Sequence, residues 1–265
     1  MADDRTELSA AHRPTIERVV QLMRAHLHEP LALEDLAAEA HMSPFHFSRV
    51  FRQVTGAPPG EFLGALRLDA AKRLLLSTPL SVTDVCFEVG YTSLGSFTTR
   101  FTRHVGLPPA MLRRLVAEFE PGRVPLLAAP PPTSAPAAGT DLIGRVEGPA
   151  GWRGLICVGL FTRPTPQGAP AACTTLTAPG PYCIRQAPPG VYHLLCAALP
   201  LSDDPLAYLV PSRGLLVGTS AIPILVTGSG WRGPTNLVLR PPGPTDPPIV
   251  GSLPLLQARW LDVAE

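Results

Sequence analysis

A pattern of short helix, tight turn and capped helix occurs twice within the first 120 residues. The two copies share an Asp-containing tripeptide, two phenylalanines four residues apart and a closing glycine. The matching positions are Asp35-Leu36-Ala37 with Asp84-Val85-Cys86, Phe47 with Phe97, Phe51 with Phe101, and Gly56 with Gly106. Side chains four residues apart lie on one helix face, so each phenylalanine pair predicts a buried stripe packed on a short helix. The second copy has one extra residue around the turn, between Cys86 and Phe97.

Local signals place the helices of this region. Ser43, Ser81 and Ser93 each precede a periodic apolar run, and a serine hydroxyl at that position accepts a hydrogen bond from a free backbone N–H. Pro44 directly after Ser43 is typical of the first helical position. Together with the apolar spacing, these signals predict helices over residues 14–27, 33–40, 44–55, 59–77, 82–89, 94–104 and 108–119.

The composition changes after residue 128. Residues 128–139 are rich in Pro and small side chains, which predicts a semi-extended linker. Short apolar runs between Gly/Pro turns follow and predict strands over 142–146, 155–161, 181–186, 191–198, 214–217, 222–227, 235–239 and 255–260. The predicted fold class is therefore α + β with two domains. An all-α double helix-turn-helix domain (12–120) is followed by a Pro-rich linker (121–140) and an all-β, sandwich-like domain (141–265).

Each copy of the repeat has the form of a helix-turn-helix, in which the second helix enters the DNA major groove. A connecting helix of ~18 residues, about 27 Å long, would let one chain reach two groove segments on the same DNA face. The predicted DNA-contacting side chains lie on the second helix of each copy. They are Phe45, His46, Ser48, Arg49 and Arg52 in the first, and Leu94, Gly95, Ser96, Thr99, Arg100 and Arg103 in the second.

The two predicted recognition helices differ in what they offer to bases. Arg49 is the best candidate for reading guanine, because a guanidinium donates two parallel hydrogen bonds to the guanine edge. The second helix is poor in strong hydrogen-bonding groups at its base-facing positions. Its segment 90–116 contains four Arg and no acid, which favours contact with phosphate. Sequence reading is therefore predicted to depend mainly on the first copy.

These residues resemble the AraC/XylS family of transcription regulators over about residues 15–115. The motifs that carry the resemblance are 82–93 (VTDVCFEVGYTS) with Phe97, Phe101, Gly106, Pro108-Pro109 and Arg113, the linker-helix residues Arg67, Ala71 and Leu74-Leu75, and Leu36-Ala37, Met42-Ser43-Pro44 and 47–51 (FSRVF). The family usually has Ala where Cys86 stands here, and commonly Arg at the position of Thr99. The displaced Arg100 is one residue, or about 100°, further round the helix and is expected to face phosphate.

The resemblance implies double-stranded DNA as the partner and a second domain that senses a small molecule or mediates dimerisation. Two roles for residues 141–265 stay open: a small-molecule sensor, or a protein-interaction and dimerisation module without a ligand. RNA polymerase and a second copy of the chain are also open as partners. An apolar-lined cavity of a few hundred cubic ångströms would favour sensing.

Other functions find little support in the sequence. Four cysteines follow the linker, Cys157, Cys173, Cys183 and Cys196, without the spacing of a zinc site, and they are expected to be buried small hydrophobes. His193 is the single candidate base after residue 104, so no catalytic residues, cofactor or metal are expected. An acidic N-terminus without an apolar run, and apolar stretches too short to span a membrane, predict a cytoplasmic protein with no membrane partner.

Overall fold

The computed structural model describes residues 2–117, 140–202, 204, 206–210 and 214–251. Seven helices fill the first of these ranges and form the helical region. They are α1 (Ala2–Ala25), α2 (Leu33–Glu39), α3 (Pro44–Thr55), α4 (Pro59–Ser77), α5 (Val82–Glu88), α6 (Leu94–Val105) and α7 (Pro109–Ala117). The predicted bounds of α3 and α4 are confirmed, and the others agree within two residues except at the N-terminus of α1 and beyond residue 117, where the predicted 118–119 lie outside the described residues.

The helix ends follow from the capping residues. Ser81 Oγ accepts from the backbone N–H of Asp84 at 3.1 Å, and the Asp84 carboxylate accepts from the N–H of Ser81 at 3.1 Å, which satisfies two free donors. Gly56 and Gly106 end α3 and α6 with φ of 79° and 98°, a backbone conformation that favours glycine.

Helix α1 begins twelve residues earlier than its predicted start at Pro14. The prediction used Pro14 as a first-turn residue, because proline lacks the N–H that an interior helical position needs. The helix instead continues through Pro14 without that hydrogen bond. The fully buried face of Ile16, Val19 and Val20 anchors the turns that follow it.

Two hydrophobic cores hold the helical region together. The first core joins α1, α2, α3 and the start of α4; the second joins the rest of α4 with α5, α6 and α7. The predicted phenylalanine stripes are both fully buried, with ring centroids 5.4 Å apart for Phe47–Phe51 and 5.5 Å apart for Phe97–Phe101. Helix α4 contributes to both cores and thereby fixes one unit relative to the other.

The β region (residues 140–251) contains strands and one short helix. They are β1 (Thr140–Glu147), β2 (Gly154–Phe161), β3 (Ala172–Leu176), β4 (Gly180–Ala187), β5 (Gly190–Pro200), α8 (Leu206–Leu209), β6 (Leu216–Thr219), β7 (Ile224–Thr227), β8 (Gly230–Arg232) and β9 (Leu237–Val238). One sheet has the order β4-β1-β9; the other has the order β3-β2-β5-β7-β8, with β6 also paired to β5. Buried side chains from both sheets share one core.

Two of these strands were not predicted. The sequence of β3, Ala-Cys-Thr-Thr-Leu, shows no alternation of apolar and polar side chains, and all five residues are half-buried. Residues 228–230 were interpreted as a turn alone, whereas Gly228 and Ser229 form the turn of a hairpin in which Thr227 pairs with Gly230. The predicted strand 255–260 and the linker 121–139 lie outside the described residues. In the part of the chain that the structure describes, no helix is both long and apolar enough to cross a membrane.

The β region packs against the helical region through several polar contacts. Thr165 Oγ1 donates to the Glu61 carboxylate at 2.7 Å, and the backbone N–H of Gly168 donates to the His104 carbonyl at 2.6 Å. Apolar contact adds to them, because Leu209 and Val250 are buried in the second helical core. The start of α4 and the end of α6 therefore face the β region.

Candidate nucleic-acid interface

The exposed face of α3 carries the side chains predicted to contact DNA from the first unit. Its opposite face is buried through Phe47, Val50 and Phe51. Phe45 is 84% exposed, and Arg49 and Arg52 are exposed at positions four and seven residues further on, which lie on the same helix face. His46 and Ser48 flank this stripe and are half-buried. The five predicted side chains thus form one continuous surface.

A hydrogen bond orients Arg49 on that surface. Its guanidinium donates to His46 Nδ1 at 3.2 Å, which requires the tautomer in which this nitrogen is unprotonated. The His46 ring also contacts His12 edge-on, with ring centroids 6.0 Å apart. His12 was not predicted as part of the interface, because α1 was expected to begin only at residue 14.

The exposed face of α6 carries the predicted residues of the second unit. All six predicted positions are exposed: Leu94, Gly95, Ser96, Thr99, Arg100 and Arg103. The hydroxyl of Ser96 donates to the Ser93 carbonyl at 3.0 Å, so part of its hydrogen-bonding capacity is used within the helix end. The first two turns of this face therefore present few free donors beside a half-exposed Leu94.

Arg100 lies beside Tyr91 at the turn of the second unit. Burial raises the pKa of the Tyr91 hydroxyl, and the positive charges of Arg100 and Arg67 oppose that rise. The arginine side chain therefore lies along the edge of the unit, next to the turn. A position beside the turn agrees with the predicted phosphate contact of Arg100. Arg49 instead lies on the exposed face of α3, where it donates to His46.

Arg67 of α4 has a structural role at the junction of the two units. Its Nε donates to the Leu27 carbonyl at 2.9 Å, and a terminal nitrogen donates to the Glu29 carbonyl at 2.7 Å. The turn at Gly90 packs directly on this junction with φ of 84°; a Cβ there would overlap the Leu27 carbonyl oxygen and lie 2.9 Å from the Arg67 guanidinium. Glycine is thus required where the second unit meets the end of the first helix.

Other basic residues of the helical region have partners within the protein. Lys72 is fully buried and donates to the carbonyls of Ile249 and Val250 at 3.0 and 3.1 Å. Arg113 donates to the Leu75 carbonyl at 3.0 Å, and Arg73 forms an ion pair with Asp69 at 3.0 Å. The exposed cations on the two recognition helices are Arg49, Arg52, Arg100 and Arg103.

The cysteines of the β region give no metal site among the described residues, where no group of three or more His, Cys, Asp or Glu side chains could hold an ion. Burial raises the pKa of the Cys157 thiol to about 12. Burial also lowers the pKa of His193, and the nearby charge of Arg52 lowers it further. His193 is therefore neutral at physiological pH and lies close to the recognition helix of the first unit.

Comparison with known proteins gives the same assignment for the helical region. A family model described as a helix-turn-helix domain matches residues 36–115. The HTH-type transcriptional activator AarP of Providencia stuartii is 31% identical over 98 residues, which cover 37% of this chain and 73% of AarP. The uncharacterized HTH-type transcriptional regulator YobQ of Bacillus subtilis is 35% identical over 94 residues, 36% of this chain and 39% of YobQ.

A solved structure of the DNA-binding domain of the global transcriptional factor AdpA, in complex with a target DNA, is 37% identical. It matches 38% of this chain and 91% of that chain, with a TM-score of 0.37. Residues 36–115, which the family model matches, include both serine-capped helices α3 and α6. By its helix-turn-helix domain and its relative AarP, this chain belongs to the AraC family of DNA-binding transcription regulators.

Proposed function

We propose that this chain is a sequence-specific regulator that reads two consecutive major-groove segments with α3 and α6. The observation that carries the proposal is the pair of similarly capped recognition helices, each with one face exposed and the other buried on a shared α4. A helix of 19 residues is about 28 Å long, close to the roughly 34 Å that separates successive major-groove openings on one DNA face. The units need no second chain to contact two segments.

Hydroxyl-radical footprinting of the full chain on a site obtained by binding selection tests this reading. We expect two protected segments whose centres lie about 10–11 base pairs apart. The complex should contain one chain per site, measured by titration at a DNA concentration well above the Kd. A single protected segment, or two segments that appear only with two chains bound, would contradict the proposal.

Within this scheme, Arg49 is the main base-reading group and the second unit mainly holds the backbone. The hydrogen bond from Arg49 to His46 restricts the guanidinium before DNA binds, which lowers the entropic cost of a specific contact. We expect Arg49→Ala to weaken binding to the selected site by about 1–3 kcal/mol. The exposed Arg145 on β1 is the matched control, because Arg145→Ala removes one positive charge from a residue that belongs to neither recognition helix. Equal affinities of Arg49→Ala and the wild type would refute this role.

We further propose the domain division 12–120 for DNA binding, 121–140 for the linker and 141–265 for a sandwich-like effector domain. We propose that the protein acts without catalysis and in the cytoplasm, where the chromosomal DNA lies. A cavity of about 430 Å³ bordered by β2, β3 and β5 supports small-molecule sensing, since its volume lies within the range of ligand pockets. RNA polymerase is the further partner that activation would require.

A second candidate role, self-association, is favoured by an exposed apolar pair. Val191 and Leu225 lie directly opposite each other on β5 and β7 and are 59% and 42% exposed. Light scattering after size exclusion separates the two roles, because the chain has a mass of 28.1 kDa. A dimer that Val191→Lys converts to a monomer would favour association; a monomer whose Tm rises with a small molecule would favour sensing.

A further inference from the structure

The cavity of about 430 Å³ lies between the β region and the first DNA-binding unit. One wall is formed by the C-terminal end of the recognition helix α3, including Gln53, Val54 and its cap Gly56, and by Arg13 of α1. The opposite wall is the face of the larger sheet that points away from the β core. A molecule in this space would touch the recognition helix and the sheet at once.

Glycines and a small side chain at Gly159, Ala197 and Gly218 leave space on that sheet face. Strand β5 alternates, so that Leu194 and Ala198 lie in the β core while Leu195 and Ala197 line the cavity. Gly159 of β2 pairs with Leu195 and adds no side chain to the wall. The cavity therefore follows from the strand sequences together with the placement of α3.

Charge at the cavity favours an anion. Among the described residues that line it, the charged side chains are Arg13, Arg240 and Asp246. Arg240 donates two hydrogen bonds of 2.6 and 2.8 Å to the Asp246 carboxylate. The Arg13 guanidinium donates to the Thr245 hydroxyl at 3.2 Å, and its charge also contributes to lowering the pKa of Asp246. The neutral His193 adds no charge. One positive charge thus remains at the cavity, on a group that binds carboxylates and sulfonates well.

The thiol at the cavity does not favour a covalent ligand. Cys157 lines the wall, but burial raises the pKa of its thiol to about 12, so the nucleophilic thiolate is scarce at neutral pH. The remaining wall is mostly aliphatic carbon and hydroxyl groups. A reversibly bound molecule with an apolar body fits this chemistry.

We infer that this cavity is an effector site shared by the recognition helix and the sheet, for a small apolar molecule that carries one negative charge. The inference rests on the proposed DNA-binding function and assigns its regulation to the end of α3. Because the ligand would contact the helix that holds Arg49, binding of ligand and binding of DNA are coupled, and each changes the affinity of the other by the same factor.

A matched pair of fluorescent probes tests the site in the full chain. 1-Anilinonaphthalene-8-sulfonate has an apolar aromatic body and one sulfonate; N-phenyl-1-naphthylamine has the same body without the charge. We expect one sulfonate probe to bind per chain, at least about 5-fold more tightly than the neutral probe. Arg13→Gln should abolish this preference, Arg18→Gln on the same helix should keep it, and Ala197→Leu should weaken both probes by filling the space.

The same samples report the coupling. A saturating concentration of the sulfonate probe should change the Kd for the selected DNA by about 5-fold or more in the wild type, and by much less in Ala197→Leu. Absence of saturable probe binding, equal affinity for the two probes, or an unchanged DNA Kd with the probe bound would each overturn the inference. The titration of DNA without probe measures DNA binding alone. If the wild type does not bind the selected DNA in that titration, the proposed DNA-binding function fails; if it binds but the probe has no effect, only the effector site fails.

Discussion

The two helix-turn-helix units are built alike inside and differ outside. Both have a small residue, Ala37 or Cys86, fully or almost fully buried where the short helix crosses the recognition helix. The serine caps Ser43 and Ser93 each accept from the N–H three residues on at 3.4 Å. The exposed faces differ more: each carries two arginines, but only in the first is an arginine, Arg49, oriented by a hydrogen bond to His46, and the first turns of the second carry mainly aliphatic and hydroxyl groups.

Attachment to the β region also separates the units. The core of the second unit includes Val250 and Leu209 from the β region, whereas the core of the first contains helical residues alone. The end of the first recognition helix borders the cavity instead. The second unit is thus fixed to the β region by buried apolar side chains. The first unit contacts the β region through polar groups, with Arg13 donating to Thr245 and Glu61 accepting from Thr165. This unit, which carries the proposed base-reading Arg49, is the one on which we propose that a bound molecule acts.

The largest expected effect on stability is at the turns of the two helix-turn-helix units. Gly90 and His41 both have positive φ, 84° and 54°, but a Cβ at residue 90 would overlap the Leu27 carbonyl oxygen. We expect Gly90→Ala to lower the free energy of unfolding by more than about 2 kcal/mol. His41→Gly, the matched change in the first unit, should alter it by less than about 1 kcal/mol. Urea denaturation measures both, and equal losses would show that the turns are equivalent.

The attachment of the second unit predicts a pH effect. Burial lowers the pKa of Lys72 from 10.5 to about 8. Between these pH values the unfolded chain binds more protons than the folded chain, so the free energy of unfolding should rise as the pH increases from about 8 to 10.5. Lys72→Met removes this group, and its unfolding free energy should rise less over the same range. If the free energy of unfolding changed equally with pH in the two proteins, the lowered pKa of the buried Lys72 would be contradicted.

The smallest effect tests the likeness of the units. Ser43→Ala and Ser93→Ala each remove one cap of the same length, and each should lower the free energy of unfolding by about 1 kcal/mol. Ser77→Ala serves as a control, because its hydroxyl donates within the last turn of α4 and caps no helix start. Losses that differ between the two caps by more than about 1 kcal/mol would show that the internal similarity does not extend to stability.

Local chemistry made most of the helical region predictable. The bounds of α3 follow from Ser43, Pro44 and Gly56, which act on backbone atoms within one turn. The roles of Arg67 and Lys72 were not predictable, since their partners lie 38–40 and 177–178 residues away and are backbone carbonyls that any residue could supply.

In the β region, strands with long apolar runs or alternating burial were predicted, whereas the half-buried β3 and the three-residue β8 were not. The exposed positions of the predicted DNA-contacting residues could be placed from helix periodicity, because burial of one face determines exposure of the other. The cavity could not be predicted, as it arises where α3 of one region meets β5 of another. The hydrogen bond between His46 and Arg49 depends on rotamers that spacing alone leaves open.

The central claim is that the first unit reads bases and the second mainly holds the backbone. Binding-site selection with the wild type, Arg49→Ala and Arg100→Ala tests it most directly, because it reports the base preference at every position. The account predicts that Arg49→Ala flattens the preference at one or two base pairs of one segment, while Arg100→Ala lowers affinity with all preferences unchanged. Flattened preferences in the second segment for Arg100→Ala, together with an unchanged profile for Arg49→Ala, would contradict it.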